Sequence, residues 1–274
     1  MIKRMRARAR AGYLAPMVRG TAAKVTSVLR DAGELMAFAG RFFQQAFHKR
    51  FEWREFFRQC YINGTLTLPL VGITAFIMGL VLTVQSRPTL ERFGAASMLP
   101  AMVAISVVRE IAPVITAIIG AGKIGSSMGA ELGSMKVTEQ IDAMEVSGTN
   151  PFRYLVVTRV WSTTLMIPVL MVISDAIAIW ATWIGVNIKD DVSWGLFYRQ
   201  VFESLEFSDF LPALIKSYFF GFAIGIVGCY RGYGTEKGTE GVGQAAHSAV
   251  VTASLLIFIL DLMAVQVTDI LGLN

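Results

Sequence analysis

Cysteine and histidine are nearly absent, with two of each in 274 residues. Two cysteines staple too little chain for a disulfide scaffold. Two histidines, with no cysteine pair or paired carboxylates beside them, leave no constellation for a metal centre or for acid–base catalysis. Charge is scarce too: 16% of residues are charged, where a soluble domain averages about 25%. A chain this poor in charge and rich in apolar residues is not disordered. What it has in excess is hydrophobicity, at 54% of residues and a mean hydropathy of +0.55, which reads as an integral membrane protein. The 25 Lys and Arg against 20 Asp and Glu leave a formal charge of +5, which suits either nucleic acid or a membrane surface. Position decides between them. Residues 1–65 hold 13 of the basic residues and four acidic ones, so the surplus is local and no nucleic-acid partner is expected.

A transmembrane helix needs about 20 mostly apolar residues. Five stretches qualify: residues 66–84, 95–122, 160–186, 211–229 and 248–268. An odd number of spans puts the termini on opposite sides. Besides the 13 basic residues before the first span, four lie between spans two and three and two between spans four and five, whereas the opposite segments hold only Arg87, Arg92, Lys189 and Arg199. By the positive-inside rule the N-terminus is expected in the cytoplasm and the C-terminus outside.

Residues 1–65 read as a basic interfacial region. The start Lys3, Arg4, Arg6, Arg8, Arg10 is followed by no apolar core long enough for a signal peptide. Val25, Val28, Leu29, Leu35, Met36, Phe42 and Phe43 recur at helical spacing, opposite Lys24, Arg30, Asp31, Glu34 and Arg41. That pattern predicts an amphipathic helix lying on the membrane, with a helix packed on a partner protein as the alternative. Phe51, Trp53, Phe56, Phe57 and Tyr61 then lead into the first span as interfacial anchors would.

Between spans two and three, Gly125, Gly129 and Gly133 form a small-residue stripe for close helix approach. Gly122-Lys123 suggests a phosphate-binding loop, but Ala117 and Ile124 occupy its diagnostic positions. This chain is therefore not expected to bind ATP. Next, residues 137–147 predict a short helix, with Thr138 as N-cap, Glu139 and Asp142 in its first turn, and Gly148 and Pro151 as its stop. Val137, Ile141 and Met144 share one face. Such a helix either docks in a groove of a soluble partner or merely bridges two spans.

Ala-Glu-Leu-Gly at 130–133, Val-Thr-Glu-Gln-Ile-Asp-Ala-Met-Glu-Val at 137–146, Val-Arg-Glu-Ile-Ala-Pro at 108–113 and Glu-Gly-Val-Gly at 240–243 together resemble the MlaE/YrbE family, the permease subunits of lipid-transporting ABC systems. The resemblance runs from about residue 40 to the C-terminus and assigns residues 66–274 to a permease transmembrane domain. It implies a homodimer in a bacterial inner membrane, moving phospholipid. Each protomer would seat a coupling helix on a separate ATPase that binds ATP and Mg, with Val137, Glu139, Ile141, Asp142, Met144 and Glu145 as the docking residues. A cytoplasmic STAS-domain protein and an external MCE-domain lipid carrier commonly complete such systems. No catalytic residue, cofactor or metal is expected in the chain itself. The resemblance also implies that the lipid path includes the end of span one and the turn into span two, here Leu82, Thr89, Leu90, Phe93 and Ile111.

Ionisable groups at membrane depth are costly and usually functional. Arg109 and Glu110 lie about 14 residues into span two, near mid-membrane by helical rise, and as neighbours about 100° apart they require different partners. Either they line the lipid path or they form a buried clamp. Lys216 and Asp261 fall within about 3 Å of the same depth in spans four and five, so an ion pair between them is expected. Asp175 has no partner evident from sequence. An ion-coupled secondary transporter using Glu110, Asp175 and Asp261 is the main rival reading, and a sterol or other lipid the main rival substrate.

Overall fold

Apolar runs that cross a bilayer must satisfy every backbone group internally, and this chain does so with helices. The computed structural model describes residues 26, 29–47, 51–236 and 238–272, among which there is no strand. The chain forms two units, residues 1–47 and 48–274. In the first, helix α1 covers residues 29–46, exposes Leu29, Met36, Phe43 and Phe47, and carries an Arg30–Glu34 pair at 2.9 Å. The basic start and the positions Lys24, Val25 and Val28 lie outside the described residues.

The second unit contains five helical runs long and apolar enough to cross a membrane: Trp53–Arg92, Ala96–Val137, Phe152–Asn187, Phe207–Tyr233 and Thr239–Ile270. The first comprises α2 (Trp53–Thr65) and α3 (Leu68–Arg92). The second is α4 (Leu99–Ser106), α5 (Ala112–Gly120) and α6 (Ser126–Val137), joined through π-turns at Val107–Ile111 and Ala121–Gly125. After α7 (Gln140–Val146), a π-turn at Phe152–Val157 leads into α8 (Thr158–Asn187). Helix α9 (Trp194–Ser204) precedes α10 (Phe207–Tyr233) and α11 (Thr239–Ile270). The unit is an all-α integral membrane bundle.

Every span is longer than its hydrophobic stretch. The second differs most, because residues 123–137, which read as the start of a polar segment, continue the same helix. Packing explains this. A side chain at Gly129 would press on the Ala245 backbone of α11, and one at Gly232 of α10 would press on Leu132 and the Gly129 carbonyl. Close approach through small residues is the principal way helices associate where lipid is as apolar as leucine. The same device seats α10 on α8, with Gly221 against the Thr163 carbonyl and Gly225 against Val160, and α3 on α8, with Gly79 against Ala178. Polar ties add to it: Asn63 of α2 donates to Ser162 at 2.9 Å, Arg87 of α3 pairs with Asp190 at 2.5 Å, and Arg159 of α8 pairs with Glu131 of α6 at 2.8 Å. Outward faces stay apolar, as Leu70, Ile73 and Ile77 of α3 and Leu255, Phe258 and Leu262 of α11 illustrate.

The chain direction gives the bundle two ends. One carries the α6–α7 turn, the start of α8 and the α10–α11 turn. The other carries the α3–α4 turn, α9 and the last turn of α11.

Candidate functional site

The charges inside the bundle converge near the α9 end. Pro113 has no N–H to return to the Arg109 carbonyl four residues back, so a regular α-helical ladder cannot run through this point. The backbone takes a π-turn over Val107–Ile111 instead, a distortion common at functional sites. It presents Arg109 and Glu110 in different directions. Arg109 donates from Nε to Asp209 in the first turn of α10, whose other oxygen accepts the Glu206 N–H at 2.8 Å in a capping box. Glu110 accepts from Lys216 Nζ at 2.7 Å, and the same ammonium reaches Asp261 of α11 at 3.1 Å. Three helical runs are thereby tied by two cations and three carboxylates. Asp209 and Lys216 are nearly inaccessible, at 4% and 7% side-chain exposure, whereas Glu110 is 47% exposed.

The cluster opens into a cleft. Arg109, Glu110, Asp209 and Lys216 line a narrow polar recess with Ser208, Pro212, Ala264 and Thr268. Ser208, Pro212, Lys216, Ala264 and Thr268 also line the neighbouring groove between α10 and α11, a cavity of about 580 Å³. Its other walls are Phe207, Leu211, Ile215, Phe219, Leu260, Met263, Val267 and Leu271. The groove, of a size typical of small-molecule sites, is apolar over most of its wall and meets the charged cluster along one edge.

Among the residues expected along a lipid path, Arg109 and Glu110 belong to this cleft and the others do not. Leu90 is buried in a core cluster with Leu99, Val103 and α9, and Leu82 packs on the same cluster. Ile111 faces a void of about 10 Å³ beside Ala75 and Met78. Thr89 and Phe93 are exposed near the α3–α4 turn. Leu90 is enclosed because Phe197 and Val201 of α9, unforeseen as a helix, pack on it together with Leu99 and Val103 of α4. Asp209 was missed, although Glu206 and Asp209, three residues apart at the start of an apolar run, carried the capping signature that places it.

The other candidate face is α7. Glu139 takes a left-handed φ of 60° and occupies the cap position expected of Thr138, whose hydroxyl instead donates to the Ser134 carbonyl at 2.8 Å. That reversal turns the apolar stripe inward. Ile141 is only 1% exposed and Val137 and Met144 are half-buried, so Ile141 is not available to a partner as the sequence suggested. The outward surface is Glu139, Asp142, Glu145 and Val146, the last 90% exposed. Lys136 pairs with Asp142 at 2.9 Å and fastens α7 to the end of α6. Gly148, at φ 81°, stops the helix.

Asp175 lies buried in α8, and neither carboxylate oxygen has a hydrogen-bond partner. No group of three or more metal-ligating side chains occurs among the described residues.

A polytopic helical bundle with a largely apolar groove at one end and an exposed acidic helix at the other defines a multi-pass membrane protein. Residues 56–267 match the model of the family described as Permease MlaE. The chain belongs to that family and is an ABC transporter permease. It is 40% identical over 202 residues to a probable ABC transporter permease protein of Rickettsia prowazekii, covering 74% of this chain and 78% of that one. A probable ABC transporter permease protein of the alga Pyropia yezoensis is 40% identical over 203 residues, 74% of this chain and 77% of its own. The intermembrane phospholipid transport system permease protein of Haemophilus influenzae is 35% identical over 206 residues, 74% of this chain and 78% of its own. Family membership places the chain among ABC transporter permeases rather than ion-coupled secondary transporters.

Proposed function

We propose that this chain, as a homodimer in a bacterial inner membrane, moves phospholipid between that membrane and an external MCE-domain carrier. A cytoplasmic ATPase holding ATP and Mg supplies the energy, and a STAS-domain protein accompanies it. The N-terminus and the α7 end face the cytoplasm; the α9 end faces out. The observation that carries this reading is the groove between α10 and α11: a largely apolar space of about 580 Å³ bordered by the charged cluster of Arg109, Glu110, Asp209 and Lys216. The Haemophilus relative named for phospholipid transport agrees with it.

The cleft and the coupling face share one helical run. Arg109 and Val137, at the foot of α7, are separated by 28 residues of the second span, or about 42 Å at the α-helical rise. Movement of α7 by the ATPase pulls on α6 through Lys136–Asp142 and acts along this run. The π-turns at Ala121–Gly125 and Val107–Ile111 are where it can flex. A shift at Val107–Ile111 re-partners Arg109 and Glu110 against α10 and α11, changing the cleft's width. The test is reconstitution with the ATPase and fluorescent phospholipid. ATP-dependent lipid transfer that is lost when Lys216 becomes Met supports the reading; transfer indifferent to ATP but driven by a proton gradient overturns it.

A further inference from the structure

Helix α9 takes no part in the cleft or the coupling face, yet its 11 residues sort onto three distinct faces. Phe197 and Val201 are buried in the core cluster with Leu90, Leu99 and Val103. On one flank Trp194, Tyr198 and Phe202 follow at four-residue spacing, each about half exposed, with the last two rings stacked at 4.2 Å. On the face turned away from the core, about 120° around the helix from the aromatic row, Arg199 and Glu203 pair at 2.7 Å in the open beside the half-exposed Leu196. Anchors inward, aromatic rings to one side and charges outward is how a helix at a bilayer interface distributes its residues.

Both ends of α9 are tied to the ends of spans, α8 before it and α10 after it. Trp183 of α8 donates its indole N–H to the Val192 carbonyl at 3.2 Å and meets the Trp194 ring edge-on at 5.2 Å. After Ser204, two residues intervene before α10 opens on Phe207, which is 91% exposed. The helix is thus continuous at each end with lipid-facing surface rather than projecting from it.

We infer that α9 lies along the membrane–water boundary with its Trp194, Tyr198, Phe202 flank inserted in lipid, so that the partner of this face is the bilayer leaflet itself. A consequence is the depth of the charges. Asp209 and its partner Arg109 sit at headgroup level rather than at mid-membrane, and Lys216, seven residues along α10, lies about 10 Å deeper.

The test labels two adjacent residues, one in the aromatic row and one on the charged face. The full chain with Cys60→Ser and either Tyr198→Cys or Arg199→Cys is coupled to an environment-sensitive fluorophore and reconstituted into vesicles of phosphatidylcholine and phosphatidylglycerol. Cys229 is buried and does not compete for label. Nitroxide-labelled lipid is expected to quench the 198 probe at least about threefold more than the 199 probe, with aqueous iodide reversing the order. Should Tyr198→Cys fail to fold, Phe202→Cys reports on the same flank. Equal iodide quenching at both positions, with no lipid quenching, overturns the inference. So does lipid quenching that appears only at 199. A 198 probe shielded from both quenchers also contradicts it, as the mark of a protein-covered flank.

Discussion

Asp209 is 4% exposed and receives Arg109, itself 34% exposed, so removing the guanidinium leaves a buried carboxylate whose other bond is to the Glu206 N–H. Breaking one side of a buried pair costs about 3–5 kcal/mol. Arg109→Gln is therefore expected to lower the thermal unfolding temperature in detergent sharply, and Asp209→Asn in the same molecule to restore part of it. Lys216→Met is expected to cost a comparable amount, because Glu110 can turn to water but Asp261, 20% exposed, is left without its cation. Asp175 makes the opposite case. With both carboxylate oxygens unpartnered it contributes no visible bond, so Asp175→Val is expected to leave stability unchanged or raise it by about 1–3 kcal/mol. If that variant unfolds earlier or loses transport, Asp175 serves a partner or a step that this fold does not display. Residue by residue, depth arithmetic along two spans was enough to foresee Lys216 facing Asp261. It could not place Glu110 or Asp209 beside them, since helix rotation about its own axis depends on the π-turn and on the α10 cap.

Among the elements, the glycine stripes were legible because four-residue spacing of small residues has one common use. They also set a sharp contrast. Gly225→Leu is expected to abolish accumulation of folded protein, since even a Cβ there would press on Val160, whereas Gly122→Ala meets open space and is expected to be tolerated. Helix α7 separates stability from coupling in the same way. Ile141→Ala is expected to cost about 2–4 kcal/mol as a core truncation, measurable without any partner. Val146→Arg should leave unfolding unchanged while weakening association with the ATPase, read by co-purification; unaltered association would remove Val146 from the docking surface. The sequence foresaw a short helix over residues 137–147, where the structure has α7 at Gln140–Val146, but neither its start nor its rotation, because the left-handed Glu139 that turns Ile141 inward has no signature. Helix α9 escaped notice for a different reason. Its aromatic and charged residues alternate over only 11 positions, too few to stand out between two spans.

At the scale of the whole molecule, spans, their number and the membrane class followed from composition alone, because five apolar runs admit few alternatives. The cleft did not, since it lies between α10 and α11, and the space left between two helices is a property of packing rather than of either one. The account stands on lipid occupying that cleft. The most direct test is a photo-crosslinking amino acid at Ile215 or Met263, on the two walls of the groove, in the chain reconstituted with its ATPase and native lipid. Crosslinking to phospholipid, lost on ATP binding and recovered after hydrolysis, is the expected result. Crosslinks to another polypeptide alone, or lipid adducts no more abundant than at Leu255 on the outer face of α11, would contradict it.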